Sequence, residues 1–415
     1  MDTNIAPTID TRLDKLAQVA VRVGLNLAEG QELVMTAGVE SLPLARKITE
    51  AAYKAGASLV TTILADDQMA LARYQHAREE SFDHAPAWLY EGMAAAYRSG
   101  AARLAIVGDD PNLLAGQDPE KIARSNRARS KAYRPALELI TASAINWTLV
   151  PFANPAWARA VFPDVAEEVA VAKLWEALFA ATRADRPDPE AAWAEHNATL
   201  MAKRSILTER NFRALRFTGP GTDLKVGLAD GHAWMGGIST ARNGISSNPN
   251  IPTEEVFTTP HAAMTEGTVS ATKPLAHGGT LIRDIRVRFE GGQVVEAHAS
   301  TGQEVLQKMI GTDEGARRLG EVALVPHSSP IAQSGLLFFN TLFDENAASH
   351  IALGQAYKKC FVNAKTLTDE QFTAAGGNSS LIHVDWMIGS AEVDVDGLDA
   401  AGNVTPVMRK GEWAL

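Results

Sequence analysis

Residues Glu32–Leu64, ELVMTAGVESLPLARKITEAAYKAGASLVTTIL, decide the fold of the first half of the chain. A compact apolar run, Glu32–Ala37, leads into a helical pattern from Leu42 to Ala55, and a β-branched run, Ser58–Leu64, follows. Gly56 stands where a glycine is expected to end the helix. The same pattern extends outward on both sides. Leu13–Leu27 is amphipathic, with Leu13, Leu16, Val19, Ala20, Val23 and Leu27 on one helical stripe. Downstream, helix Pro86–Arg98 stops before Gly100 and strand Ala102–Val107 follows; Lys121–Leu139 and Ile145–Val150 repeat the alternation. Helices alternating with nearly continuous apolar strands predict a parallel sheet covered on both faces, with right-handed crossovers. No G-x-G-x-x-G follows any of these strands, so a dinucleotide is not expected. Gly108-Asp109-Asp110, after the third strand, reads as a cap and turn.

The texture changes after Arg183–Pro189, where two prolines in three residues mark a turn. A helix over Glu190–Ile206 bridges to a strand-rich half. There Arg213–Thr218, Asp223–Leu228, Gly279–Phe289 and Gln293–Ala299 are strand-like, and Glu290-Gly-Gly292 is a hairpin signal. The expected architecture is an N-terminal parallel-sheet α/β domain over residues 1–208 and a β-rich mixed (α+β) catalytic domain over residues 209–415.

Composition bounds the function. The 415 residues carry 39 Lys plus Arg against 49 Asp plus Glu, a net charge of −10, which argues against nucleic acid because phosphate readers need a positive stripe. The densest basic stretch, Arg124–Arg134, reads as one solvated helix face. No run approaches the ~18 apolar residues of a membrane span. The opening MDTNIAPTIDTR is unlike a secretory leader, and the single Cys360 excludes an internal disulfide framework and any cysteine-built zinc site. A soluble cytoplasmic protein with no membrane partner is expected.

The chemistry-capable residues cluster after residue 250. Glu254 and Glu255 are adjacent, so on an extended chain at most one of them faces a given pocket. Glu321 lies within Gly320–Val325, otherwise a buried strand, where a carboxylate costs several kcal/mol unless paired, protonated or metal-bound. Asn346, His350 and Tyr357 share a face if the segment from Asn346 onward is helical. His383 and Asp385, two apart on the strand-like Leu381–Ile388, point to one side while Ile382 and Val384 point to the other. Together these are oxygen and nitrogen donors with no thiolate, which suits a catalytic divalent ion and not a structural zinc. Three carboxylates (Glu255, Glu321 and Asp385) and two imidazoles (His350 and His383) make five donors, more than one open catalytic zinc takes from protein, and the count favours two ions sharing a carboxylate.

Asn248–His261 (NPNIPTEEVFTTPH), Ala271–Leu275 (ATKPL), Gly320–Val322 (GEV), Phe339–Gly354 (FNTLFDENAASHIALG) and Ile382–Met387 (IHVDWM) together resemble the aminopeptidase T family of cytoplasmic metallo-aminopeptidases. The resemblance is strongest over about 248–390, with no departure at the ligand positions. It implies two divalent metal ions per chain (Zn, Co, Mn or Mg) held by Glu255, Glu321, His350, His383 and Asp385, with Tyr357 beside them. It also selects Glu255 over Glu254. Glu345, in the Asp-Glu-Asn run, is expected to serve as an extra ligand or as the general base. Homodimers opening onto an enclosed space, and peptide substrates with a free N-terminus, are likewise implied. The chemistry to expect is hydrolysis of the first peptide bond, with Glu321 or Glu345 moving the proton to the leaving amine and Tyr357 donating to the oxyanion. Two other readings are open: a dinuclear amidohydrolase acting on a small amide, and a non-enzymatic small-ligand binding protein.

Overall fold

Four short apolar runs pair in parallel: β1 (Glu32–Gly38), β2 (Leu59–Ala65), β3 (Ala102–Val107) and β4 (Trp147–Pro151), in the order β2-β1-β3-β4. This computed structural model describes residues 8–277 and 280–415, so most of the opening MDTNIAPTIDTR lies outside the described residues, as does Gly279. Leu33, Val34 and Met35 are consecutive and all buried, so both faces of β1 are covered. Val34 packs with Met93 and Tyr97 of helix Ala87–Arg98 and with Ala136 and Ile140 of helix Pro119–Thr141. Each large side chain removed from water in this way contributes roughly 1.5–3 kcal/mol. The edge strand β2 differs from its apolar reading. Leu59 and Leu64, on this edge strand, remain nearly half exposed. The stripe expected over 13–27 is an α-helix, Ile9–Gln18, running into a π-helical segment, Val19–Leu25. Asp110 closes a turn by accepting from the Asn112 N–H.

Two compact bodies divide the chain. One runs to Glu195 and takes in Ile238–Pro252; the other comprises His196–Gly237 and Thr253–Leu415. The division falls inside the helix Pro189–Arg210. Among the described residues, no helix is long and apolar enough to cross a membrane.

The second body holds two larger sheets. Eight antiparallel strands run in the spatial order Gln293–His298, Arg286–Glu290, Pro260–Ser270, Thr222–Leu228, Ala214–Gly219, Asp394–Leu398, Val404–Arg409 and Glu412–Trp413. The hairpin at Gly291-Gly292 forms as its sequence predicts. Both glycines have positive φ, and a Cβ on Gly292 would collide with the Ala262 carbonyl. The run read as one strand over 279–289 is two, Thr280–Ile282 and Arg286–Glu290, because the chain turns at Asp284 with φ 52°. The smaller sheet contains β5 (Val256–Thr258), β6 (Leu319–Leu324), β7 (His350–Gly354) and β8 (His383–Met387), all antiparallel in the order β8-β7-β6-β5.

Candidate metal centre

The two-residue period of the smaller sheet sorts its side chains. Val256, Val322, Ile351, Val384 and Trp386 face the core and are buried. Their neighbours face the other way: Glu321 on β6, His350 on β7, His383 and Asp385 on β8, with Glu255 just ahead of β5. Register brings them level, since Glu321 is opposite Ala352, which is opposite Asp385, and Gly354 is opposite His383. Ala352 and Ala323 are the small residues between the donors on this face, leaving the space above the strands to the carboxylates and imidazoles.

Glu321 is central. Its Oε1 lies 3.5 Å from His350 Nε2 and its Oε2 lies 3.8 Å from His383 Nε2. His350 Nε2 is 3.2 Å from Glu255 Oε2, and His383 Nε2 is 3.2 Å from Asp385 Oδ1. Two donor groups therefore share one carboxylate: Glu255, Glu321 and His350, and Glu321, His383 and Asp385, with the donor atoms of each group within 4.8 Å of one another. The imidazoles are held from behind. His350 Nδ1 contacts the Ala348 carbonyl at 3.1 Å and His383 Nδ1 the Gln355 carbonyl at 2.7 Å, which turns both Nε2 atoms toward the carboxylates.

Burial makes this arrangement costly without a cation. Glu255 Oε2, His350 Nε2 and Asp385 Oδ1 are buried and form no hydrogen bond, despite their close approaches. Orphaned buried donors and acceptors of this kind cost about 1–3 kcal/mol each, more when charged. Burial pushes the Glu321 carboxyl up, and Glu255 and Asp385 add to the shift against the opposing His350 and His383. His350 is raised well above the ordinary imidazole range: burial opposes its charge, but Glu255 and Glu321 outweigh it. For His383, burial is likewise outweighed by Asp385 and Glu321, and the imidazole is pushed up to about 9. Carboxylates and imidazoles crowded out of water, with free atoms converging, fit divalent ions of the zinc, cobalt or manganese type.

Every residue expected at the site lies in this second body, but one route to it differs from the sequence reading. His350 is not helical. After a single turn at Glu345–Ala347 the backbone extends at Ala348 (φ −165°, ψ 163°), and His350–Gly354 is a strand paired on both sides. Ladder pairing outweighs the helical preference of the alanines here. Tyr357 reaches the site from the loop after Gly354, whose φ of 107° lets the chain pass close to the Ile382 carbonyl, where a Cβ would collide. The Tyr357 ring centroid lies 4.7 Å from that of His383. Glu345 lies outside both donor groups but close to them. Burial raises its carboxyl well above the ordinary range, and the charges of Glu255 and Asp385 add to this.

Glu254 and Glu255 diverge. Glu255 faces His350, while Glu254 Oε2 lies 3.6 Å from His196 Nε2. Asn346, fully buried, accepts from the Glu254 N–H at 2.7 Å and donates to the Leu342 carbonyl at 2.9 Å, tying the Glu255 segment to the turn that carries Glu345. No local pattern marks His196 or Asn346 for this work, since their partners are far away in sequence.

Two bodies, one a parallel α/β sheet and the other a β-rich scaffold whose converging donors could hold metal, place the chain among metalloproteins. The chain belongs to the thermophilic metalloprotease family (M29), whose model matches residues 9–413. It is 57% identical over 403 residues to aminopeptidase T of Thermus thermophilus, covering 97% of this chain and 98% of that one. Aminopeptidase 2 of Geobacillus stearothermophilus is 44% identical over 406 residues, covering 98% of each chain. The solved structure of wild-type AmpT from Thermus thermophilus superposes with a TM-score of 0.94 at 56% identity, over 98% of this chain and 100% of that one. The 2,5-dihydroxypyridine dioxygenase of Pseudomonas putida KT2440 shares the fold alone, with a TM-score of 0.53 at 13% identity over 98% of each chain.

Proposed function

We propose that this metalloprotease is an aminopeptidase that removes residues from the free amino end of peptides, with two divalent ions held by Glu255, Glu321, His350, His383 and Asp385. Glu321 is the shared ligand in this reading. The observation that carries it is the splitting of the Glu321 carboxylate between two imidazoles, each with a further carboxylate 3.2 Å away. Zinc, cobalt, manganese or magnesium would serve; we further propose a homodimer working in the cytoplasm.

When bound, two such ions supply Lewis acidity and a water acidic enough to be deprotonated near neutral pH. The remaining work falls to the chain. Glu345, kept protonatable by burial beside Glu255 and Asp385, takes a proton at its carboxylate and returns it to the leaving amine. Burial and the surrounding carboxylates raise the Tyr357 hydroxyl, so it stays protonated and able to donate to the developing oxyanion. The strands and their backed imidazoles hold these groups in place, so little reorganisation is needed on substrate binding.

Metal content and one substitution test the proposal together. Purified, metal-loaded protein is expected to hold two ions per chain and to cleave aminoacyl anilides but not their N-acylated forms. Glu321→Gln is expected to retain the melting profile, lose most bound metal and lose about 10²–10⁴-fold in kcat/KM. Full activity in a reloaded Glu321→Gln protein overturns the shared-ligand assignment; cleavage of acylated substrates at an equal rate overturns the aminopeptidase reading.

A further inference from the structure

The face that carries the donors also carries a cation. Lys359 belongs to the short turn Lys358–Cys360, two residues after Tyr357. Its Nζ lies 4.9 Å from the Tyr357 ring centroid and 4.8 Å from that of Phe257. Phe257 is on β5, two residues after Glu255 and on the same side, whereas the Tyr357 ring lies tilted against His383 of β8. β5 and β8 are the two edges of the sheet, so the Lys359 Nζ lies between a ring on one edge and a ring packed against His383 on the other. Two aromatic rings orient the ammonium through cation–π contact.

Nothing acidic in the described residues claims this charge. Lys358 pairs with Asp369 at 2.6 Å, but Lys359 makes no ion pair and remains exposed. Nor do the donors need it for neutrality. The three ligand carboxylates Glu255, Glu321 and Asp385 carry at most three negative charges against the four positive charges of two divalent ions, which leaves no negative charge there for an ammonium to balance. An ammonium beside such a pair is repelled by them. A cation kept there by two rings is accounted for by an anion that arrives with the substrate.

We infer that Lys359 binds the α-carboxylate of short peptides and makes the enzyme selective for di- and tripeptide free acids. The inference rests on the aminopeptidase reading and deepens it. Through the Tyr357 ring, Nζ lies no more than about 10 Å from the His383 ring, a span that one or two extended residues of roughly 3.5 Å each can cover beyond the scissile carbonyl. In longer peptides the carboxylate passes out of reach, and an amidated terminus offers no charge to bind.

The test compares Leu-Gly-Gly as free acid, Leu-Gly-Gly amide and leucine p-nitroanilide in the metal-loaded native enzyme, in Lys359→Met and in Lys359→Arg. The native enzyme is expected to favour the acid over the amide by about 10- to 100-fold in kcat/KM. Lys359→Met should bring that ratio close to one, mainly through a higher KM for the acid, and Lys359→Arg should restore most of it. A native enzyme that turns over acid and amide equally overturns the inference. So does a Lys359→Met protein, folded by its melting temperature, that loses acid and amide in equal proportion, since that marks an oxyanion or structural role. Failure of the loaded native enzyme on all three substrates instead overturns the aminopeptidase reading beneath it.

Discussion

His383 faces two carboxylates across less than 4 Å, and its imidazole is pushed up to about 9 against the opposing effect of burial. Near neutral pH the metal-free protein therefore holds a proton on His383, and another on His350, which is raised in the same direction by Glu255 and Glu321. A metal needs the neutral imidazole, so ions and protons compete for the same nitrogen atoms. Because the bound protons are lost as pH rises through the raised pKa, apparent metal affinity should climb between pH 6 and about 9 and then flatten for His383. Calorimetric titration of zinc at pH 7 in buffers of different ionisation enthalpy should register about one proton released per imidazole. A heat independent of the buffer would remove both histidines from the ligand set. Some of this was readable at the level of single residues. An acid inside an apolar strand, Glu321, and the alternation of His383 with Asp385 marked themselves. The choice between Glu254 and Glu255 did not. It is made by Asn346, which accepts from the Glu254 N–H 92 residues back, and by His196, which contacts the Thr253 carbonyl 57 residues ahead.

Strands make neighbours unequal, and β7 shows it most sharply. Ile351 and Ala352 are both fully buried, yet Ile351 packs into the core while Ala352 sits on the donor face, opposite Glu321 on one side and Asp385 on the other. Ala352→Leu adds bulk where the ions are proposed to sit. It should cost about 1–3 kcal/mol of stability as overpacking. Its larger effect should be loss of bound metal, with kcat/KM falling by about 100-fold or more. Ile351→Val, one residue away, should cost about 0.5–1.5 kcal/mol and leave metal content unchanged. Metal analysis of the two purified variants, with melting temperatures, checks both; native metal content in Ala352→Leu would place the ions elsewhere. At this scale the sequence was legible where periodicity was strong, in the parallel strands, the glycine-ended helices and the Gly291-Gly292 hairpin. It misled over Asn346–Tyr357. Ala-Ala-Ser-His favours a helix locally, and only the pairing of β7 with β6 and β8 reveals a strand. Register is set by partners far along the chain, and no local pattern encodes it.

A dioxygenase with 13% identity shares this architecture, so the fold alone does not choose the chemistry; the donor face does. That separation predicts how the molecule answers to metal removal. In small metal-folded domains the ions replace a core, and chelation unfolds them. Here the four strands are held by their own ladders, and their opposite faces are buried among Val322, Ile351, Val384 and Trp386. The scaffold should survive without its ions. What is lost is the binding free energy, roughly 2.7 kcal/mol per ion where free metal stands at 100 times its dissociation constant, or about 5 kcal/mol for two ions. In a body of this size each kcal/mol moves the melting temperature by about 2–4 °C. Dialysis against a chelator should therefore lower the melting temperature by roughly 10–20 °C while the far-ultraviolet circular dichroism stays unchanged. Activity should disappear and return on adding back the metal. Wholesale unfolding on chelation would make the ions structural and the catalytic assignment unsafe. An unaltered melting temperature, in protein shown to have lost bound metal, would mean that the convergence of Glu255, Glu321, His350, His383 and Asp385 binds no ion tightly enough to matter.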